Sequence, residues 1–201
     1  MSAARPGPRR TGLGGAPIVV AIGRLIPGKD PLTALGGFEA FQLAHPAARL
    51  ALIFQGGPLE DAVRTTVQRS LALQGSVRLV GPVPHAAIGD YLGAADLLLS
   101  ASRAEGSGYA VIEAMACGVT PVVTAIPPHL AIVGDCGATW TPGDARGCAE
   151  ALTRAWQSDR AAAAAAARAR FDAALSWPAL AARTVDAYTA LAARRPGARR
   201  T

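Results

Sequence analysis

Residues 104–118 read AEGSGYAVIEAMACG and largely decide how the rest of the chain is organised. Glu105 precedes a Gly-Ser-Gly turn, and a run of good helix formers then holds a second glutamate, Glu113. With a helix starting near Ser107, the glycines let the backbone approach a ligand, and the first N–H groups of the helix stay electropositive. Glu113 shares a helix face with Tyr109, one turn earlier. Either two acceptors hold separated parts of one hydroxyl-rich molecule, or both glutamates are merely solvated.

A second charged turn follows the first apolar, β-rich run, at residues 17–22. Residues 23–30 read GRLIPGKD, and Lys29 is the only lysine of a chain whose other 19 basic side chains are arginine. Arg24 supplies a planar fork and Lys29 a point charge, a pairing suited to a diphosphate. The alternative is that both are solvated turn residues.

The same turn spells G-x-x-x-x-G-K, one letter short of a P-loop. Asp30 stands where a P-loop needs a Ser or Thr hydroxyl for magnesium, and it is better placed as the cap of a helix that begins with Pro31. We therefore expect no magnesium-dependent hydrolysis of ATP or GTP.

Strand and helix patterns alternate along the chain, which predicts an α/β fold: a single Rossmann-like, doubly wound parallel sheet of about six strands with a C-terminal helical extension. Both charged turns follow strands, so both are expected at the carboxyl edge of the sheet, where ligands bind in this fold. The predicted strands are 17–22, 49–54, 77–80, 97–100, 121–124 and 138–140, and the I-P-P-H segment at 126–129 is predicted to be a turn after the fifth strand. A helix is predicted from residue 31, with a buried stripe of Leu32, Leu35, Phe38 and Phe41, and another after residue 58, with Leu59, Val63, Val67 and Leu71 at steps of four. Further helices are predicted at 84–95, 144–156, 160–175 and 177–193. Within the third of these, residues 161–167 are interpreted as an alanine spacer.

Composition and charge exclude several classes of protein. The formal charge is +6, but residues 1–16 and 193–201 hold seven arginines and no acid, which leaves 13 basic against 14 acidic side chains elsewhere. A groove for a nucleic-acid backbone is therefore not indicated. No apolar run approaches the length of a membrane span. The three cysteines fit no zinc spacing, so we interpret them as reduced thiols of a cytoplasmic protein, and the three histidines as surface or loop residues.

The ordered motifs resemble those of the group 1 (family 4) glycosyltransferases of the GT-B fold, over about residues 17–190. They are G-R-L-x-P-x-K-D at 23–30, G-P at 57–58, R-L-V-G at 78–81, S-x-x-E-G-x-G at 102–108, E-A-M-A-C-G at 113–118 and P-G-D at 142–144. The chain departs from the family pattern at Gln55, Ala101 and Ser107, and at residues 125–129, where Ala-Ile-Pro-Pro-His replaces a glycine pair followed by an acid.

The resemblance implies catalytic roles for Arg24, Lys29 and Glu105. The two cations would hold the donor diphosphate, Glu105 the donor sugar, and Glu113 the ribose. It implies retention of anomeric configuration and needs no metal or other cofactor, because the cations and the helix end carry the diphosphate charge. The implied donor-binding residues are Gly23, Arg24, Lys29, Leu79, Val80, Glu105, Gly106, Ser107, Gly108, Tyr109, Ala110 and Glu113.

The resemblance also implies a domain plan. Residues 17–158 would form the nucleotide-sugar-binding domain and 159–195 the C-terminal helices, together half of a GT-B architecture. The Gly, Pro and Arg composition of residues 1–16 leads us to expect a disordered basic lead there, and 196–201 would be a basic tail. The N-terminal acceptor-binding domain of the family is missing or separate, and the apolar face of residues 177–193 would cross to it. We therefore expect weak or no transfer by this chain alone, and membrane association only through a partner or a lipid acceptor. The alternative is a non-catalytic nucleotide-sugar-binding or regulatory module of a split transferase.

Overall fold

The computed structural model describes residues 11–193, and within that range six strands form one parallel sheet. The strand order is β3-β2-β1-β4-β5-β6, with β1 in register against both β2 and β4. The order reverses between β1 and β4, so the loops that follow these two strands flank the topological switch point of the sheet. The predicted doubly wound α/β fold is thus confirmed.

The strands are β1 (Ile18–Ile22), β2 (Arg49–Ile53), β3 (Val77–Gly81), β4 (Leu97–Ser100), β5 (Thr120–Thr124) and β6 (Ala138–Trp140). The helices are α1 (Pro31–Ala44), α2 (Glu60–Arg69), α3 (Leu71–Ser76), α4 (His85–Ala94), α5 (Tyr109–Ala116), α6 (Pro127–Val133), α7 (Ala145–Gln157), α8 (Arg160–Arg170) and α9 (Trp177–Ala193). A 3-10 turn spans Pro27–Lys29, and a π-helical turn spans Phe171–Leu175.

Two apolar cores cover the two faces of the sheet. Successive residues of β1 point to opposite faces, so Val19 packs in the core under α1, α2, α3 and α7, whereas Val20 packs in the core under α4, α5, α6 and α8. A strand buried on both faces reads as a continuous apolar run, which is why β1, β2 and β4 were recognisable from sequence. Both cores hold the sheet rigid beneath its carboxyl edge.

Several sequence expectations need correction. Leu32 is 37% exposed and Leu71 86% exposed, so neither belongs to a buried stripe. The step of four from Leu59 to Leu71 does not follow one helix, since α2 ends at Arg69 and α3 begins at Leu71 with Ser70 as its cap. The I-P-P-H segment is not a turn but the start of α6, because prolines fit the first helical turn.

The predictions for the chain ends also change. Residues 11–16 are not a disordered lead: Leu13 is buried in the second core, and Arg78 donates to the Thr11 carbonyl at 2.7 Å. The alanine run is not a spacer, because α8 packs on α5 and Ala167 is fully buried. The remainder of the basic lead, residues 1–10, and the end of the chain from residue 194, including the basic tail, lie outside the described residues.

The last helix, α9, keeps large apolar side chains in solvent. Trp177, Val185, Tyr188 and Leu191 are all more than 60% exposed, and Leu180 is 39% exposed. The apolar face predicted for this segment is therefore present and uncovered by the described part of the chain. None of the helices in residues 11–193 is both long enough and apolar enough to cross a membrane.

Candidate functional site

A cleft of about 590 Å³ opens at the carboxyl edge of the sheet, beside the switch point. Its walls come from the loop after β1, the end of β2, the start of α4 and the segment that joins β4 to α5. The two charged turns predicted from sequence meet in this one cleft. The lining residues are Ile22, Gly23, Arg24, Lys29, Ile53, Phe54, Gln55, Val83, His85, Ile88, Ser100, Glu105, Gly106, Ser107, Gly108, Tyr109, Ala110, Val111 and Glu113.

Lys29 and Glu105 form an ion pair across the cleft, joining the loop after β1 to the loop after β4. The Glu105 side chain is only 13% exposed and that of Lys29 is 30% exposed. Burial by itself raises the pKa of Glu105, but the hydrogen bond and charge of Lys29, with bonds from Gly108 and Ser102, outweigh it and lower that pKa. Glu105 is therefore a carboxylate at neutral pH, held beside a cation.

A second ion pair links the same two loops. Arg103 donates to the Asp30 carboxylate through Nε and Nη2, both at 2.8 Å, and its backbone N–H donates to the Gly28 carbonyl at 2.9 Å. The other Asp30 oxygen accepts from the Thr33 hydroxyl at 2.8 Å. Asp30 stands at the position before α1, as predicted, but its carboxylate does not cap the helix backbone. It instead fixes the relative position of the two loops.

The start of α5 faces the cleft. Gly108 precedes the helix with a left-handed φ of 61°, and a β-carbon there would meet the end of the Ile132 side chain, so glycine is favoured. The first intrahelical bonds come from Val111 and Ile112, which leaves the Tyr109 and Ala110 N–H groups at the electropositive helix end. The helix begins two residues later than the sequence suggested.

Arg24 and Glu113 both line the cleft. Arg24 is exposed, and no acidic side chain within residues 11–193 pairs with it. Glu113 lies one helical turn from Tyr109, and its Oε1 is 3.4 Å from His85 Nε2. The cleft thus offers two cations on the loop after β1, Arg24 and Lys29, and a carboxylate on α5, Glu113, whose side chain is 36% exposed.

Ten of the twelve predicted donor-binding residues line this cleft, and Leu79 and Val80 do not. These two side chains pack against the two cores. Sequence reasoning missed Gln55 and His85. Gln55 follows β2, so its strand-end position could have marked it, whereas nothing in the GPVP segment before His85 indicated that the chain turns back to the cleft.

His129 is not the surface or loop histidine that was expected. It is fully buried at the start of α6, between β4 and β5, and it contacts Ser100 and Thr124. Burial lowers its pKa, against raising contributions from the Thr124 backbone bond and the Glu105 charge. The ring is therefore neutral at neutral pH. The free thiols were expected: none of Cys117, Cys136 and Cys148 forms a disulfide in the described range.

Fold and cleft together define a Rossmann-like domain of the kind that makes up one half of a GT-B glycosyltransferase. The sucrose-phosphate synthase of Thermosynechococcus elongatus superposes with a TM-score of 0.74 at 26% identity, over 94% of this chain and 49% of that protein. Anabaena HepE, solved with UDP and glucose, shares the fold with a TM-score of 0.76 at 19% identity, over 91% of this chain and 51% of that one.

Residues 16–158 match the family of group 1 glycosyl transferases, and the chain belongs to that family. It is 32% identical over 188 residues to a D-inositol 3-phosphate glycosyltransferase of Streptosporangium roseum, covering 86% of this chain and 42% of the relative. A D-inositol 3-phosphate glycosyltransferase of Thermobispora bispora is 32% identical over 202 residues, covering 92% of this chain and 47% of the relative. The chain thus spans slightly less than half the length of these two relatives.

Proposed function

We propose that this chain is the donor-binding half of a retaining glycosyltransferase that uses a nucleotide diphosphate sugar without a metal. The observation that carries the proposal is the meeting of Lys29 and Glu105 in one cleft at the switch point, beside the start of α5. A cation, a carboxylate and unpaired helix N–H groups are the groups needed to hold a diphosphate and a sugar hydroxyl side by side. Membership of the glycosyl transferase family supports this assignment.

The diphosphate would lie against Lys29, Arg24 and the start of α5. When the bond between the sugar and the diphosphate breaks, negative charge develops on the leaving phosphate. Lys29, Arg24 and the helix end would face that charge, so they would stabilise it more in the transition state than in the ground state. This role requires Lys29 to exchange part of its contact with Glu105 for a phosphate oxygen.

The sugar and the nucleoside would occupy the remaining walls. Glu105 would accept hydrogen bonds from donor-sugar hydroxyls, with the backbone at residues 106–110 beside it. Glu113 of α5, which contacts His85, would accept from the ribose hydroxyls. Side chains that accept from vicinal hydroxyls discriminate strongly against ligands that lack them, because their carboxylates would otherwise stay unpaired.

Residues 17–158 would carry the donor site, and residues 159–195 would extend towards an acceptor-binding half supplied by a separate segment or chain. The exposed apolar face of α9 and the half-length match to the relatives support this division. Sugar transfer by the chain alone should then be weak or absent. The rival proposal, a regulatory module that binds a nucleotide sugar without chemistry, is favoured by the same half-length match and predicts no transfer in the presence of any acceptor half.

Calorimetry with UDP, GDP and ADP tests the donor site. At least one of them should bind without added metal, and Lys29→Ala should weaken it about 10- to 100-fold, the cost of a lost charged hydrogen bond. Arg146→Ala is the matched control, since Arg146 is 90% exposed and pairs with Glu150 on α7. The proposal fails if none of the three nucleotides binds, or if Lys29→Ala binds as tightly as the control. Robust transfer by the purified chain would refute the need for a second half.

A further inference from the structure

His129 belongs to a chain of polar side chains that leads to Glu105. Its Nε2 lies 3.5 Å from the Ser100 hydroxyl oxygen, which lies 3.4 Å from the Ser102 hydroxyl oxygen. The Ser102 hydroxyl donates to Glu105 Oε2 at 3.2 Å. On the other side of the ring, Nδ1 lies 3.1 Å from the Thr124 carbonyl oxygen and 3.0 Å from its hydroxyl oxygen. The chain therefore runs from β5 through α6 and β4 to the cleft.

The chemistry of the acceptors assigns the hydrogens. A carbonyl oxygen only accepts, so Nδ1 of His129 carries the proton and donates to Thr124. The neutral ring then has an unprotonated Nε2, which accepts, and Ser100 is the hydroxyl that donates to it. At the other end a carboxylate also only accepts, so Ser102 gives its hydrogen to Glu105. Ser100 and Ser102 thus each donate their hydrogen elsewhere, so their 3.4 Å contact is a packing contact. The hydrogen-bonded link from His129 to Ser102 runs through the Thr124 hydroxyl, which accepts from Nδ1 and donates to the Ser102 carbonyl.

The backbone of the loop is held by the same group of residues. The Thr124 hydroxyl donates to the Ser102 carbonyl at 2.5 Å, and it also lies against the His129 ring. Ser102 and His129 are both buried, at 1% and 0% exposure. Because these groups are out of water, each lost partner leaves an unsatisfied polar atom, and the network resists rearrangement.

We propose that His129 is a positioning residue for Glu105. By holding Thr124, which bonds the Ser102 carbonyl, and Ser100, which packs against Ser102, it fixes Ser102 so that its hydroxyl and Lys29 both engage Oε2 of Glu105. The carboxylate, which also accepts from the Gly108 N–H, then presents its remaining lone pairs to a sugar hydroxyl of the nucleotide sugar. This assignment rests on the proposed donor site. It also accounts for a buried imidazole on a helix whose neighbours Ile132 and Val133 are core residues.

The charged groups that act on the ring are Glu105 and Lys29, on the loops after β4 and β1. Ser100 of β4 and Thr124 of β5, which contact the ring directly, are uncharged, and Arg170 of α8 donates to the Ile132 and Ala131 carbonyls of α6. A purely structural histidine in this position would not be coupled to the carboxylate in the cleft. The positioning role and the purely structural role can be separated by comparing the affinity for a nucleotide sugar with that for the free nucleotide.

The test compares a free nucleoside diphosphate with its sugar conjugate, UDP and UDP-glucose being the first pair, in wild type and His129→Asn. The Asn amide can still reach the Thr124 carbonyl, but it leaves Ser100 without its acceptor and the space of the ring unfilled, so both residues that hold Ser102 are held less firmly. The Kd of UDP should stay within about twofold, and that of UDP-glucose should rise about 3- to 10-fold, the effect of one misplaced hydrogen bond. Equal losses for both ligands, or no loss for either, would overturn the assignment. His45→Asn is the matched control and should change neither Kd.

A readout without ligand keeps the two proposals distinguishable. The Glu105 carboxyl, followed by carbon-13 NMR during a pH titration, should have a higher pKa in His129→Asn, because the Ser102 donor is no longer aligned. Thr124→Val, which deletes only the hydroxyl between the ring and the Ser102 carbonyl, should act in the same direction and serves if Asn at 129 does not fold. An unchanged Glu105 pKa in both variants would overturn the positioning role. Failure of wild type to bind any nucleotide would instead overturn the donor site.

Discussion

The most informative stability prediction concerns Asp30, whose carboxylate holds the two loops of the cleft together. Its side chain is 12% exposed and accepts from Arg103 and Thr33. Because Arg103 is 55% exposed, solvent screens that pair, and we assign it about 1 kcal/mol. The Thr33 bond to a charged acceptor adds about 1.5 kcal/mol. Replacing Asp30 with alanine or glycine should therefore lower the free energy of unfolding by about 2 to 3 kcal/mol.

The backbone at this position provides an internal control. Asp30 is the one non-glycine residue in the range 11–193 with positive φ, at 45°. Alanine in this left-handed conformation is strained by about 1 to 2 kcal/mol, whereas glycine is not strained but gains entropy in the unfolded chain worth about 0.5 to 1 kcal/mol. Asp30→Ala should thus be less stable than Asp30→Gly by about 0.5 to 1 kcal/mol. Asp30→Asn tolerates the conformation and keeps the Thr33 contact, so it should cost only about 1 kcal/mol.

Urea unfolding followed by circular dichroism measures these differences as shifts in midpoint at constant m-value. The expected order of stability is wild type, Asn, Gly and Ala. A loss below about 0.5 kcal/mol for alanine would show that the Asp30 bonds contribute little to the link between the loops. Equal losses for Asn and Ala would show that the charge, and not the hydrogen-bond geometry or the backbone, accounts for the whole effect.

Three further outcomes follow from the structure. Burial lowers the pKa of His129 from 6.5, so below that pH the unfolded chain binds more protons than the folded protein does. The free energy of unfolding should therefore be full above about pH 6.5 and fall as acid is added. His129→Asn should flatten this dependence, measured as urea midpoints at about pH 7.5 and 5.5. Gly57→Ala should cost more than about 2 kcal/mol, because φ is 144° and the new β-carbon would collide with the Leu25 backbone. Gly28→Ala, in open space, should change the free energy of unfolding by less than about 0.5 kcal/mol. Similar urea midpoints for the two variants would contradict this. A thiol reagent with mass-spectrometric readout should modify the exposed Cys117 in the native protein. It should modify Cys148 only on unfolding, because that thiol is buried and burial raises its pKa to about 12. Rapid labelling of Cys148 in the native protein would contradict its burial.

The sheet was predictable because the apolar runs of its central strands are the pattern expected of strands buried on both faces. β4 and β6 begin and end at the predicted residues, and so does α9. The strand-end positions of the two charged turns also sufficed to bring Lys29 and Glu105 to the same edge. In a parallel sheet the carboxyl ends of all strands share one edge, so sequence order alone sets this part of the site.

Other features depended on contacts between distant residues, which no local pattern contains. The Asp30–Arg103 pair joins positions 73 residues apart, and an aspartate before a helix reads as a cap unless its partner is known. His129 follows two prolines in a segment that reads as a turn, yet α6 starts there and carries the ring inside. Leu71 fitted a helical period of four, but a new helix begins at that residue.

The central claim is that the cleft binds a nucleotide diphosphate through Lys29, Arg24 and the start of α5. A crystal structure of the protein soaked with whichever of UDP, GDP or ADP binds most tightly would test it most directly. The account predicts the diphosphate within hydrogen-bond distance of Lys29 and of the Tyr109 and Ala110 N–H groups, with the ribose at Glu113. A nucleotide bound elsewhere, or one lying in the cleft with its diphosphate away from Lys29, would contradict it.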